Sequence, residues 1–166
     1  KSRTRPDGSL VALADQDRSR WDTELIAEGV EVLQAALGRD RLGEYQAQAA
    51  IAALHADAPS VEETDWVQIV EWYDELLAFA DTPIVRLNRA VAVGEADGAP
   101  AGLSALAELG PDVPRRDAVA AHLHEKNGDL ELAARLYAAA ARNAPNLAER
   151  DHQLLQAARL NQRLRS

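Results

Sequence analysis

The 166 residues suffice for one ordinary domain with a continuous core, and 34 alanines against only 4% aromatic residues favour closely packed helices over a sheet. The formal net charge of −9 repels phosphate groups, so we expect no DNA binding by this chain alone. The absence of cysteine excludes disulfides, thiol nucleophiles and Cys-based zinc sites, and no apolar run approaches the length of a transmembrane helix.

Residues 1–17 predict a linker or strapping segment rather than a helix. A strong turn signal, Pro6-Asp7-Gly8-Ser9, follows three basic residues. The sequence contains no methionine, so we expect residue 1 to lie inside a longer protein and this segment to enter from an N-terminal region. A processed mature N-terminus would leave the same trace. Residues 18–166 are then predicted to form a helical repeat domain.

The apolar spacing and the turn residues of the remaining chain predict eight helices with short connections, and therefore antiparallel hairpins. Thr82 is a helix cap followed by proline, Gly128 turns the chain, and Asn146 caps the last helix with Glu149 as its reciprocal partner. The predicted helices cover Ser19–Leu37, Glu44–Ala56, Asp65–Phe79, Pro83–Ala96, Pro100–Leu109, a stretch ending at Asn127, Leu130–Asn143, and a final stretch after Asn146.

The hairpins also show a degenerate repeat of the 34-residue tetratricopeptide type. Matching positions are Ala133, Tyr137, Ala140 and Pro145 in one second helix, Trp66, Ile69, Val70 and Tyr73 in a first helix, and Ala47, Ile51, Leu54 and Pro59 in another second helix. The predicted fold class is all-α: about eight helices as stacked antiparallel hairpins in a tetratricopeptide-like right-handed superhelix. Such an array binds a protein partner or packs against another domain of its own polypeptide, and the repeats leave both possibilities open.

Several stretches resemble one bacterial family. They are DQDRSRWD at 15–22, LIAEG at 25–29, YQAQAAIAALH at 45–55, TDW at 64–66 and LNRAVAV at 87–93. Over roughly residues 3–145 the chain is similar to the tetratricopeptide-like C-terminal extension of extracytoplasmic-function (ECF) RNA polymerase sigma factors. The resemblance implies two upstream sigma regions that bind core RNA polymerase and promoter DNA. It also implies that this tail regulates transcription initiation through intra- or intermolecular contacts.

The expected partners are the protein's own sigma regions, the RNA polymerase core or a regulatory protein, in the cytoplasm and without direct DNA or membrane contact. One alternative is a stand-alone tetratricopeptide-type adaptor that binds a peptide of another protein. A small-molecule-sensing or catalytic domain is a third hypothesis.

One group of candidate interaction residues precedes the first predicted helix and extends into it: Asp15, Asp17, Arg18, Arg20 and Trp21. Their density of charge and aromatic surface suits a docking surface for the sigma regions, with arginine and tryptophan as anchors. The structural alternative is a core tryptophan with capping residues and surface ion pairs, which contribute little.

A second group lies further along the chain. Trp72 is offset from the face shared by Trp66 and Tyr73, so we expect it on a groove rather than in the core. Asn88 and Arg89 offer several directed donors that hold peptide backbone or carboxylate groups. The structural alternative for this pair is a local hydrogen bond that ties two hairpins together.

No catalytic pattern is visible in the sequence. The four histidines lack metal-binding spacing, and there is no HExxH, no G-x-S-x-G and no glycine-rich phosphate loop. We therefore expect no enzymatic activity and no metal or cofactor site.

Overall fold

Every regular element in residues 42–166, the part that the computed structural model describes, is an α-helix. In chain order the helices are α1 (Leu42–Asp57), α2 (Trp66–Phe79), α3 (Pro83–Ala96), α4 (Ala99–Ala107), α5 (Arg116–Lys126), α6 (Leu130–Arg142) and α7 (Leu147–Arg165). None of these seven helices is long and apolar enough to cross a membrane. The predicted linker and the predicted helix Ser19–Leu37 lie outside the described residues.

Three helices, α2, α3 and α7, begin where a capping side chain accepts a hydrogen bond from a free backbone N–H group. The side chain of Asp65 accepts from Gln68 N at 3.0 Å before α2, and Asn146 Oδ1 accepts from Glu149 N at 2.8 Å before α7. Thr82 caps α3 in the same way. The predicted bounds of α3 are confirmed. Helix α4 ends two residues earlier than predicted, ahead of a loop with two prolines.

Consecutive helices pack against each other, and α3 also contacts α5 across α4. The core has three clusters, each built by three consecutive helices, and neighbouring clusters share a helix. The first contains Ala47, Ile51, Ile69, Leu76 and Ala92; the second Leu87, Ala90, Leu106, Leu109, Ala120 and Leu123; the third Ala121, Ala133, Ala134, Tyr137, Ala157 and Leu160. This overlapping core is the packing of a helical-repeat array, and the predicted all-α, stacked-hairpin class is confirmed. The right-handed superhelical sense stays a prediction.

Two ion pairs in the C-terminal repeat join residues that are 34 positions apart, which is the length of one repeat. Arg115 pairs with Glu149 through Nη2–Oε1 at 2.6 Å, and Arg159 Nη2 donates to Glu125 Oε1 at 2.6 Å. Each pair spans 34 residues: Arg115 directly precedes α5 and Glu125 lies on it, while Glu149 and Arg159 lie on α7. Tyr137 on the intervening helix also donates to Glu125, at 3.1 Å. Helices α5 and α7 therefore occupy equivalent places in successive repeats.

The repeat matches do not share one phase along the chain. The sequence match makes α1 the second helix of a repeat, and strict alternation along the chain would then make α5 a second helix as well. Gly128, at φ 88° between α5 and α6, is instead the turn between the two helices of one repeat, so that α5 is a first helix. The phase therefore changes between α2 and α5. This interval contains the shortest of the described helices, the nine-residue α4.

The closest backbone approach in this interval involves two buried glycines, Gly94 on α3 and Gly102 on α4. A Cβ atom added at Gly102 would lie 2.8 Å from Gly94 Cα and 2.9 Å from the carbonyl oxygen of Ala90. The same added atom would lie 2.9 Å from Cδ2 of Leu123, a fully buried side chain of α5. The two helix backbones are therefore in contact, and α5 covers the contact.

We predict that Gly102→Ala lowers the free energy of unfolding by about 1–3 kcal/mol, because the new methyl group meets backbone atoms that cannot move cheaply. Thermal or urea denaturation followed by circular dichroism measures the change. Gly110→Ala is the matched control, since a Cβ there meets nothing within 4 Å. Equal stability of the two variants would contradict the close contact.

Candidate interaction surface

The candidate residues predicted from sequence divide between two parts of the chain. The N-terminal group, Asp15, Asp17, Arg18, Arg20 and Trp21, lies outside the described residues, so its role stays a prediction. Trp72 lies on α2, and Asn88 and Arg89 lie on α3.

Trp72 is half-buried and packs against the first core cluster beside Ile69 and Leu76. Trp66 and Tyr73 flank the same cluster, and Trp66 Nε1 donates to the carbonyl of Val61 at 3.0 Å. Part of the Trp72 ring is thus covered by the core. Trp72 is therefore less exposed than we predicted when we placed it on a groove.

Arg89 is half-buried, and its Nε donates to Asp74 Oδ1 at 2.6 Å. This ion pair joins α3 to α2, as the structural alternative for Arg89 required. Asn88, the preceding residue, is exposed. The structure therefore separates the predicted pair: Arg89 ties two helices together, while Asn88 faces outward.

A long acidic interval surrounds these residues. Residues 42–85 contain nine Asp and Glu and no Lys or Arg, which accounts for the whole formal net charge of −9. The acidic residues are Glu44, Asp57, Glu62, Glu63, Asp65, Glu71, Asp74, Glu75 and Asp81. The hairpin of α1 and α2 is therefore negative, whereas residues 1–41 and 86–166 together are neutral.

The outward face of α2 combines this charge with exposed apolar surface. We call it the α2 face; its exposed residues are Val67, Gln68, Glu71, Asp74, Glu75, Ala78 and Phe79. Val67 is 58% exposed and Phe79 56% exposed, even though the Phe79 ring lies against Gly43 of α1. Ile84, in the first turn of α3, is 47% exposed. Val67 and Phe79 therefore add apolar surface to the acidic residues of the α2 face.

The carboxylates near this face differ in their pairing. Asp74 is bound by Arg89, and Arg86 forms two hydrogen bonds with Asp81, at 2.6 and 2.9 Å. These bonds hold the pKa of the Asp81 carboxyl below its usual range. Glu71 and Glu75 form no ion pair with the described residues. Among the described residues, the acidic charge of this face is therefore compensated at Asp74 but not at Glu71 and Glu75.

A cleft of about 600 Å³ lies at the other end of the described chain. The loop before α5, the end of α6 and the start of α7 surround it. Arg115 on its wall is already paired with Glu149, and Asp112 and Asp117 line the same space. Gln153 Oε1 is buried there without a hydrogen bond to the described residues. Because both acidic and basic side chains line the cleft, its charge does not indicate which class of ligand it would bind.

Residues 42–166 contain no group of three or more His, Cys, Asp or Glu residues that could hold a metal ion.

Glu95 is a structural carboxylate between α3 and α5, and its side chain is 12% exposed. It lies 3.0 Å from His122 Nε2 and accepts from Lys126 Nζ at 2.9 Å. The hydrogen bond with His122, with the smaller contribution of Lys126, holds the pKa of Glu95 below its ordinary value of 4.5 against the opposing effect of burial.

Comparisons with known proteins give two matches. A family of unknown function, DUF6596, matches residues 1–37. An uncharacterized protein of Rhizobium meliloti (strain 1021) is 43% identical over 110 residues, which is 66% of this chain and 26% of that protein. The chain therefore spans about a quarter of the length of this relative. No solved structure matches.

The sequence predictions missed Val67, Glu71, Glu75 and Phe79, the exposed residues that distinguish the α2 face. The sequence carries half of the signal, since the absence of Lys and Arg from residues 42–85 is visible by inspection. The other half is exposure, which depends on how α2 is placed against α1 and α3.

We predict that Asp74→Asn and Arg89→Gln are coupled by about 0.2–1 kcal/mol in a double-mutant cycle, the usual range for a partly exposed ion pair. Urea denaturation of the four proteins measures the coupling. Arg89→Gln combined with Glu71→Gln is the matched control, with a coupling near zero. Additive effects of Asp74→Asn and Arg89→Gln would show that the pair does not tie α2 to α3.

We predict that Glu95→Gln costs about 1–2 kcal/mol of the free energy of unfolding near pH 6. The folded-state pKa of Glu95 is lowered, so its contribution is present above the ordinary pKa of 4.5 and is lost as the pH falls through the lower folded value. The difference between wild type and variant should therefore shrink as the pH falls below 4.5. Urea denaturation across this range measures it, with the exposed Glu131→Gln as control. A pH-independent difference would contradict this assignment.

Proposed function

We propose that the chain is the C-terminal regulatory domain of a bacterial ECF sigma factor and that it modulates transcription initiation by protein–protein contact. The observation that carries the proposal is the α2 face, where exposed apolar side chains lie beside glutamates that form no ion pair with the described residues. Such a surface repels nucleic acid and suits a protein partner.

Two further observations support this proposal. The stretches at 15–22 and 87–93 resemble the tails of this sigma-factor class, and the second stretch lies on α3, which packs against α2, α4 and α5. The relative is about four times as long as its matched segment, so most of that protein lies outside the segment that this chain resembles.

The test compares transcription by the whole protein with and without residues 1–166, in a reconstituted assay with RNA polymerase and a cognate promoter. We expect a severalfold change in transcript yield on deletion. Binding of the truncated protein to core RNA polymerase is measured in parallel, so that loss of the sigma regions' own fold is recognised. Unchanged yield would contradict the proposal. An upstream coding sequence without sigma regions would favour a stand-alone adaptor instead.

A further inference from the structure

The α2 face has the dimensions and periodicity of a helix-docking surface. Val67, Glu71 and Glu75 are four residues apart and Phe79 follows after four more, so they recur along one side of α2. From Val67 to Phe79 the face extends about 18 Å, at 1.5 Å per residue. A partner helix of four to five turns covers this length when it lies along α2.

Charge determines which helix fits. Glu71 and Glu75 form no ion pair with the described residues and lie between the two exposed apolar side chains, while Arg86 and Arg89 are engaged by Asp81 and Asp74. A partner helix with Lys or Arg opposite the glutamates and apolar residues opposite Val67 and Phe79 is complementary at every position. An acidic helix, a nucleic acid or an anionic lipid surface is repelled.

The face is also held rigid before any partner arrives. Ile69 and Leu76, on the opposite side of α2, are 0% and 3% exposed in the first core cluster. The Asp74–Arg89 pair fixes α2 to α3. A preformed surface loses little conformational entropy on binding, which favours a specific complex.

We propose that the α2 face binds a basic amphipathic helix of a protein partner. This inference deepens the proposed function and rests on it only for the source of the helix, which would belong to the sigma regions or to the RNA polymerase core. The contact itself, between α2 and a basic helix, depends on residues 66–79 alone.

The experiment uses the 166-residue chain and a fluorescein-labelled, 18-residue peptide of Leu and Lys in a helical amphipathic pattern, with fluorescence anisotropy as readout. Companion peptides replace every Lys by Glu, or every Leu by Ser. We expect saturable binding of the Leu/Lys peptide alone, weakening with salt as screened charges require. Absence of binding by the Leu/Lys peptide, or equal binding of the Ser-substituted peptide, overturns the proposal.

Charge reversal locates the site. The double variant Glu71→Lys/Glu75→Lys should bind the Leu/Lys peptide at least about tenfold more weakly and should gain binding to the Leu/Glu peptide, because like charges oppose docking and opposite charges restore it. The matched control, Glu131→Lys/Asp151→Lys, makes the same change of net charge at exposed positions on α6 and α7. Equal weakening by both double variants would reveal only a net-charge effect and overturn the proposed site.

An apolar variant tests the other half of the face. Val67→Ser, at a 58% exposed position, should weaken peptide binding severalfold without changing the circular dichroism spectrum. Unchanged affinity would contradict an apolar contribution. If the peptide binds as expected while deletion of residues 1–166 leaves transcription unchanged, the proposed function fails and the docking site stands. The reverse pair of results rejects the docking site alone.

Discussion

The contact between Gly94 and Gly102 is the constraint on which the rest of the array depends. It brings the backbones of α3 and α4 together, and the fully buried Leu123 of α5 packs over both glycines. The position of α5 is therefore set by α3 and α4 at once, and α5 in turn places the C-terminal repeat through Glu125 and Arg115. A side chain at either glycine would separate helices that the two flanking core clusters need in register.

The same contact also helps to hold the acidic helix α2 in place, because it anchors α3, against which α2 packs. Helix α3 is anchored on one side by the glycine contact and by Glu95, and on the other side it holds α2 through Arg89 and Asp74. The carboxylates that pair with arginine fix the helices, whereas Glu71 and Glu75 remain outward. Paired and exposed acidic residues are thus neighbours on one helix, and the exposed ones are those that we propose as contact residues.

The sequence predicted the helices well because caps and turns are local. The Thr82 cap, the turn at Gly128 and the buried Ala133–Tyr137–Ala140 positions were all readable from short patterns. Features that depend on tertiary packing were harder to predict from the sequence. The close approach of Gly94 and Gly102 is a contact between two helices, and the half-burial of Trp72 and the pairing of Arg89 follow from the packing of α2. The exposure of Val67 and Phe79 has no local signal at all.

Hydrogen exchange, followed by mass spectrometry on the 166-residue chain with and without the Leu/Lys peptide, tests most directly where a basic helix docks. We expect slower exchange in α2 and the first turn of α3 on peptide binding, with α6 and α7 unchanged. Protection confined to the cleft between α5, α6 and α7, or no change in α2 while the peptide is bound, would contradict it.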